Sequence, residues 1–283
     1  MRFGLVGTGY WADVVHAAGL AAHPQVELVG IWGRDPEKAE VLASKHGTRG
    51  FPKLDELIDA VDALAFSVPP DVQAELALPA AEAGRALLLE KPLALTVEAG
   101  KRLAGAVRAP TAVFFTARFD PTVAAWFRSE VDGREWDGAL SLFLTAIFDP
   151  GNPFGRSPWR QERGGLWDVG PHALAAILPT LGRVVELRAV RGMRDEVHLA
   201  LRHESGAASS VAVSLNAPAE LTEAAFWSES GLVRMPTERD VPAAYAAAID
   251  AVIAGETAFD AAFGLEVVRV LVEAEAQLPS FES

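Results

Sequence analysis

Arg2-Phe3-Gly4-Leu5-Val6-Gly7-Thr8-Gly9-Tyr10-Trp11-Ala12 is the stretch that decides the fold of the first part of this chain. An apolar run leads into a G-x-G-x-x-A turn, in which the first glycine permits a tight reversal and the second lets backbone approach a pyrophosphate. Because the turn stands between a strand and a helix ending at Pro24, it predicts a dinucleotide site rather than a ligand-free turn. The residues predicted to contact this cofactor are Gly7, Thr8, Gly9, Tyr10 and Trp11.

Short apolar runs alternate with helical patterns as far as residue 117, which is typical of βαβ units around a doubly wound parallel sheet. The helices between the runs have clear boundaries, because Asp35 and Thr96 are good N-caps and Pro36 suits a first turn. We therefore predict a dinucleotide-binding Rossmann domain over residues 1–117. Its predicted strands are residues 2–6, 26–32, 63–68, 86–89 and 112–116.

The end of the second predicted strand bears on the choice between NAD and NADP. An acidic residue there hydrogen-bonds the ribose of NAD and repels the 2′-phosphate of NADP. Gly33 stands at this position and Arg34 follows it, whereas Asp35 is better explained as the cap of the next helix. The sequence therefore favours NADP over NAD, with Gly33 and Arg34 in the cofactor site. The alternative for Arg34 is an ordinary solvated arginine.

Residues 118–283 carry longer runs of alternating hydrophobicity and are predicted to form a second α/β domain with an open, largely antiparallel or mixed sheet. Three such runs are centred on Leu142, Leu199 and Val213. The other face of this sheet is predicted to carry small or modestly polar residues and to be solvated or paired with another subunit, giving a homodimer or higher even oligomer such as a tetramer. Its members include His198, Ala200, Ala212 and Ser214.

Three polar groups suit the transfer of a hydride to or from a carbinol. Lys91 follows a buried strand at the carboxyl edge of the sheet, where its ammonium can polarise a carbonyl oxygen. His172 suits the acid/base role, since a histidine ordinarily titrates near about pH 6.5. Asp168, four residues before it, either orients the imidazole or binds a substrate hydroxyl. The alternative without catalysis is that Lys91 is a solvated loop residue, His172 an interior histidine and Asp168 a helix cap.

Composition narrows the functional class. The net charge of −13 without a Lys/Arg run disfavours nucleic acid and anionic membranes as partners. The absence of cysteine excludes disulfides, thiolate metal ligands and a cysteine nucleophile. No apolar stretch reaches the roughly 18 residues of a membrane span. A soluble, cytoplasmic protein that acts on a small molecule without a metal is therefore expected.

The motifs together resemble the Gfo/Idh/MocA oxidoreductases, a family named after glucose-fructose oxidoreductase, inositol dehydrogenase and a rhizopine-catabolism protein. The resemblance extends over nearly the whole chain. The Lys91 triplet combined with the Asp168-to-His172 element is its specific part, whereas the Gly turn is unspecific. The motifs that carry it are Gly7-x-Gly9-x-x-Ala12, Glu90-Lys91-Pro92, Arg118-Phe119-Asp120-Pro121, Trp159-Arg160 and Gly164-Gly165-x-x-Asp168-x-Gly170-x-His172.

The resemblance implies an NAD(P)-dependent dehydrogenase or reductase of sugars, cyclic polyols and related carbonyl compounds, with its site between the two domains. It adds Ser67, Pro69 and Glu90, together with Lys91, to the cofactor site. Gln73 departs from the pattern, because many relatives carry a histidine there. The alternative function is a nucleotide-binding regulator that kept the fold without turnover. The implied substrate-binding residues are Lys91, Arg118, Trp159, Arg160, Asp168 and His172.

Overall fold

The structure is a computed structural model that describes residues 1–256 and 258–279. The chain divides into two compact units. The first comprises Met1–Asp120 and Asp240–Leu265, and the second comprises Pro121–Arg239 and the chain from Glu266 onward. Across these described ranges, every helix is too short or too polar to cross a membrane.

The first 120 residues alternate strands and helices as the apolar runs predict. A π-helical turn, Ala12–Ala17, precedes the first α-helix, and the two run on as one helical segment. The strands are β1 (Arg2–Val6), β2 (Glu27–Trp32), β3 (Arg49–Gly50), β4 (Ala63–Phe66), β5 (Ala86–Leu89) and β6 (Thr111–Val113). The helices are α1 (Ala18–Ala22), α2 (Pro36–Lys45), α3 (Leu54–Ala60), α4 (Pro70–Glu82), α5 (Val97–Ala106) and α6 (Thr116–Phe119).

In the described residues these strands form a six-stranded parallel sheet of order β3-β2-β1-β4-β5-β6. The strand order reverses beside β1, so the carboxyl ends of β1 and β4 flank the crevice in which such sheets bind ligands. The predicted Rossmann architecture is therefore confirmed. Both predicted caps are also present, since Asp35 accepts from the N–H groups of Glu37 and Lys38 and Thr96 accepts from that of Ala99.

The remainder of the chain contains the second sheet and five further helices among the described residues. A π-helical turn, Phe127–Val131, extends the first of these helices. The strands are β7 (Gly138–Ala146), β8 (Val184–Arg191), β9 (Val197–His203), β10 (Ala208–Ser214), β11 (Asn216–Ser228) and β12 (Gly231–Arg234). The helices are α7 (Pro121–Trp126), α8 (Pro158–Asp168), α9 (Gly170–Leu181), α10 (Val241–Ala254) and α11 (Ala261–Glu275).

The second sheet has the order β12-β11-β7-β10-β9-β8 within the described chain. Its pairs are antiparallel except for β10 with β7, which confirms the predicted mixed open sheet. The turn at residues 204–206 joins β9 to β10, as its Glu-Ser-Gly sequence predicts. One face is covered by α9, and Leu199, Val211 and Val213 on that face are almost fully buried.

The register corrects one expectation about the opposite, open face. Leu142 lies opposite Ala212, whereas Leu199 lies opposite Val211, so the leucines of β7 project away from the buried residues of β9 and β10. The open face is thus more apolar than its Ala and Ser residues alone indicate. Alternation along a strand shows which residues share a face, but not which of the two faces is covered.

Helix α10 belongs to the first unit, although its place in the sequence grouped it with the second domain expected over residues 118–283. Tyr245, Ile249 and Val252 are fully buried in the same hydrophobic cluster as Phe3 and Phe114. The physical reason is the apolar surface of the parallel sheet, which needs a covering helix on each face. A helix from late in the chain supplies part of that cover.

Residues 149–165 are rich in Pro, Gly and Arg and show no hydrophobic periodicity, yet part of this segment is helical. Residues 158–165 lie within α8, which contains a kink where Gly164 adopts φ 63° and ψ −162°. The kink interrupts the helical period, and for that reason the sequence pattern did not predict a helix here.

Candidate functional site

The Gly-rich turn has the backbone geometry of a dinucleotide site. Gly7 has φ 131°, and a Cβ on it would lie 2.1 Å from the carbonyl oxygen of Ser67, so any other residue would be excluded there. Gly9 is exposed, and a Cβ on it would meet nothing within 4 Å. Its carbonyl accepts from the N–H of Asp13 at 3.1 Å as the helix begins. A tight turn, an open backbone surface and a helix N-terminus fit a pyrophosphate.

Gly33 lies beside this turn, because a Cβ built on it would be 2.6 Å from Cγ2 of Thr8. The residue at the end of β2 is therefore glycine for a steric reason as well as for any role in choosing the cofactor. Arg34 is exposed, whereas Asp35 is held by the first turn of α2. Those backbone hydrogen bonds, chiefly the one from Lys38, lower the pKa of the Asp35 carboxyl.

Lys91 is fixed at the end of β5 by a buried glutamine. The amide of Gln73 donates to the carbonyl of Glu90 at 2.7 Å and accepts from its N–H at 2.8 Å. The same amino group lies 3.2 Å from the carbonyl of Pro92. The side-chain amide of Gln73 thus pairs with both the carbonyl and the N–H of Glu90, as the backbone of a neighbouring strand would. Lys91 itself is half-buried and precedes a cis peptide bond to Pro92.

The carboxylate of Glu90 lies within a network that no sequence pattern indicates. Its Oε1 accepts from the indole N–H of Trp11 at 2.8 Å and lies 2.9 Å from Nε2 of the fully buried His16. Nδ1 of His16 is in turn 2.9 Å from the hydroxyl of Tyr245. Trp11 belongs to the Gly-rich turn and Glu90 precedes Lys91. The network therefore joins the dinucleotide turn to the end of the strand that carries the lysine.

The protonation of this network follows from its donors and acceptors. Burial by itself raises the pKa of the Glu90 carboxyl, but the hydrogen bond and charge of His16, the charge of Lys91 and the bond from Trp11 together lower it below its ordinary value. An ionised carboxylate only accepts, so Nε2 of His16 carries a proton. Burial and the negative charge of Glu90 raise the pKa of Tyr245 well above its ordinary value, so its hydroxyl stays protonated.

The predicted residue Arg118 lies on α6 in the first unit. Its guanidinium carbon is 4.8 Å from the ring centroid of Phe259, in cation–π geometry. The nearby Asp120 is 2% exposed and accepts from the N–H of Asp240 at 2.8 Å, where the chain re-enters this unit. The Arg118–Pro121 motif therefore has a structural role, because its Asp120 holds the segment at which the chain re-enters the first unit. This role does not depend on what Arg118 binds.

In the second unit, the structure brings Arg160 and Asp168 together. Nε of Arg160 lies 2.7 Å from Oδ2 of Asp168, which is 4% exposed. The guanidinium carbon also lies 4.7 Å and 5.3 Å from the ring centroids of Trp159 and Phe154. Sequence spacing did not predict this ion pair. Asp168 is not the cap of α9, because Val169 occupies the N-cap position.

His172 lies in the first turn of α9 and is half-buried. Its ring stacks on Phe143 of β7 with centroids 5.5 Å apart and an angle of 26° between the planes. The imidazole therefore has a defined orientation and retains partial exposure, which a group that exchanges protons with a substrate needs. Among the described residues, no three His, Asp or Glu side chains are grouped so as to hold a metal ion.

Comparisons with known proteins give a family and a fold. Residues 1–117 match the family described as "Oxidoreductase family, NAD-binding Rossmann fold" (GFO_IDH_MocA). Inositol 2-dehydrogenase of Rhizobium meliloti is 31% identical over 158 residues, which cover 54% of this chain and 47% of that protein. The chain thus spans about half the length of this curated relative.

Two solved structures share the fold of almost the entire chain. The WlbA dehydrogenase of Bordetella pertussis, in complex with NADH and UDP-GlcNAcA, is 24% identical with a TM-score of 0.80 and covers 98% of this chain and 96% of its own. KijD10, a 3-ketoreductase of Actinomadura kijaniata in complex with TDP-benzene and NADP, is 19% identical with a TM-score of 0.76 and covers 98% of both chains.

Proposed function

Because this chain belongs to the Gfo/Idh/MocA oxidoreductase family, we propose that it is an NAD(P)-dependent dehydrogenase or reductase of a small sugar, polyol or related carbonyl compound. The observation that carries the proposal is the hydrogen bond between Trp11 and Glu90, which couples the dinucleotide turn to the segment holding Lys91. A turn that served packing alone would not need a link to the segment that carries Lys91.

The chemistry needs three actions from the chain. When bound, the nicotinamide accepts or gives the hydride. His172 takes the hydroxyl proton during oxidation and returns it during reduction. The ammonium of Lys91 stabilises the negative charge that develops on a substrate oxygen. Asp168, whose Oδ2 accepts from Nε of Arg160, orients the imidazole or binds a neighbouring substrate hydroxyl.

The test is a turnover screen. The protein is incubated with NADP⁺ or NAD⁺ and hexoses, inositols and nucleotide sugars, and with the reduced cofactors and keto-sugars, while the reduced nicotinamide is followed by absorbance. Saturable oxidation or reduction of a member of these classes supports the proposal. Tight cofactor binding without turnover in either direction contradicts it and favours a regulator.

We expect NADPH to bind more tightly than NADH. The exposed Arg34 can pair with the 2′-phosphate, and neither Gly33 nor the engaged Asp35 repels it. Calorimetric titration of both nucleotides measures the preference, and equal affinities or a preference for NADH would contradict it. Arg34→Ala should lower NADPH affinity about tenfold or more with little effect on NADH, whereas Arg102→Ala on α5 serves as a matched control.

Gly33→Asp should move the preference toward NADH, but its Cβ would also displace the methyl group of Thr8. Gly33→Ala introduces the same Cβ without charge and therefore separates the two effects. A loss of NADPH affinity that is equal in both variants would be steric and would leave the electrostatic explanation unsupported.

We also propose that the open face of the second sheet pairs with its equivalent in another subunit, giving a dimer or tetramer. Besides Ala200, this face carries half-exposed leucines, and larger exposed apolar side chains lie toward its edges. Such a surface is more apolar than a monomer usually exposes. The exposed members are Val190 (63%), Leu221 (43%), Trp227 (39%) and Leu232 (53%).

Light scattering of the protein at micromolar concentration should give at least twice the 30.1 kDa chain mass. Leu142→Glu, which places a charge opposite Glu223 at the middle of the face, should shift the mass toward that of a monomer. A wild-type protein that is entirely monomeric would rule out this interface.

A further inference from the structure

Asp195 is a buried carboxylate that receives four hydrogen bonds. Its Oδ1 accepts from the hydroxyl of Ser214 at 2.6 Å and from the N–H of Asn216 at 3.1 Å. Its Oδ2 accepts from the N–H groups of Leu215 at 2.7 Å and Gly165 at 3.1 Å. The side chain is 6% exposed. It therefore ties the end of β10 to the middle of α8, two segments that are distant in sequence.

The loop that presents Asp195 is held in an unusual backbone conformation. Arg194 has φ 59°, a left-handed value that is unfavourable for a residue with a Cβ. The N–H of Gly192 bonds the carbonyl of Glu196 at 2.8 Å, and the guanidinium of Arg194 bonds the carbonyl of Asn216 at 3.0 Å. A strained loop that persists because its surroundings hold it is a reason to look for function.

Asp195 accepts a hydrogen bond from α8 at the kink of that helix. Gly164 has the left-handed φ of 63°, and a Cβ on Gly165 would lie 2.8 Å from Cα of Ser214. The backbone at residues 164–165 thus lies directly on the strand end that Asp195 also binds. Asp195 and this close approach together fix the position and direction of the kink.

The kink in turn determines the arrangement of the site residues on both sides of it. Arg160 and Asp168 are eight residues apart, which in a straight helix corresponds to a rise of about 12 Å. Their side chains nevertheless meet at 2.7 Å. On the C-terminal side, Gly165 accepts from the N–H of Val169 at 3.0 Å, and Val169 accepts from that of His172 at 3.1 Å. Backbone hydrogen bonds therefore lead from the anchored glycine to the histidine.

We propose that Asp195 is a positioning residue that holds the Gly164–Gly165 kink and thereby sets the orientation of Arg160, Asp168 and His172. Its importance for turnover rests on the proposed function, whereas its effect on His172 does not. Asp195 itself is not expected to touch a reacting atom. Its influence passes through Gly165, so a change at Asp195 misplaces the acid/base group without removing it.

The first test follows the six histidines by NMR across a pH titration, with the His172 signal identified by its loss in His172→Ala. Asp195→Ala should move the His172 ring signal and its titration, because the ring leaves its stack on Phe143. His203, which bonds Gly182 and Ser209 in the same unit, reports general loosening and should stay unchanged. Glu196→Ala, one residue away, is the matched control.

Asp195→Asn provides the conservative rescue. Its one remaining oxygen can keep the bonds from Gly165 and Leu215 if the amino group faces the hydroxyl of Ser214, so its effect should lie between wild type and Asp195→Ala. It also keeps the test decisive if the alanine variant fails to fold. A folded Asp195→Asn or Asp195→Ala protein with an unchanged His172 signal would overturn the proposal, and so would equal shifts of His172 and His203.

The second test uses turnover once a substrate is known. Asp195→Ala should lower kcat about 10²-fold, the effect that a misplacement of about 1 Å can have, while cofactor affinity stays unchanged. A moved His172 signal with unaltered kcat would refute this link between position and turnover. If His172→Ala itself has no effect on kcat, the catalytic assignment of the histidine fails, and the NMR result still decides the role of Asp195.

Discussion

Lys91→Ala is expected to lower kcat by at least about 10²-fold, because it removes the ammonium that stabilises charge on the substrate oxygen. Cofactor affinity should change much less, since the adenosine end is expected to bind at Gly7, Gly9 and Arg34. Steady-state kinetics with the substrate found in the screen measures kcat, and calorimetry with NADPH measures the affinity.

Lys101→Ala is the matched control, because Lys101 is an exposed lysine on α5 in the same unit. Near-native turnover of Lys91→Ala would remove the lysine from the mechanism. A large loss of cofactor affinity at unchanged kcat would assign Lys91 to cofactor binding alone. Gln73 forms its hydrogen bonds with backbone atoms of Glu90. These bonds should therefore persist in Lys91→Ala and keep the segment around residue 91 folded.

His172→Ala should likewise lower kcat by at least about 10²-fold, since the positioned acid/base would be lost. His198→Ala is the control, because His198 is exposed on β9 and pairs with Glu196. The pH dependence of kcat/KM should lose the limb that belongs to this proton transfer in His172→Ala and keep it in the control. Retention of both the rate and the limb would show that another group moves the proton.

Sequence patterns predicted five of the six strands of the first sheet and two of its helix caps, because these features have local causes. The turn at Gly7 needs a residue that tolerates φ 131°, and Asp35 and Thr96 cap the helices that follow them. Each of these features is set within a few residues of chain. The NADP preference stays a prediction, because the steric contact of Gly33 with Thr8 provides a second reason for the glycine.

The site residues that the sequence did not reveal depend on distant contacts. His16 and Tyr245 are 229 positions apart in the chain, and each reads as an ordinary helix residue until the fold brings them to Glu90. Gln73 was noticed only as a departure from the family pattern. Asp195 stands alone in a loop without a motif, and its role comes from four donor groups on two distant segments, Gly165 and residues 214–216.

The face assignment of the leucines of β7 shows a further limit. Period-two alternation correctly places Leu140, Leu142 and Leu144 on one face of β7. The pairing of β7 with β10 decides which face of the sheet this is. The side chains opposite them are Ser210, Ala212 and Ser214, which belong to the open face. Hydrophobicity alone favoured the buried side, because an unpaired apolar face is unusual in an isolated chain.

The return of α10 to the first unit has a consequence for the order in which the protein is made. During synthesis, residues 1–120 leave the ribosome first, while the helix that fills their core with Tyr245 and Ile249 follows only after the whole second sheet. The first unit is therefore begun before the second sheet is made and completed after it. Until α10 arrives, the side chains that it will cover, Phe114 and Phe119 among them, remain open to water or to other chains.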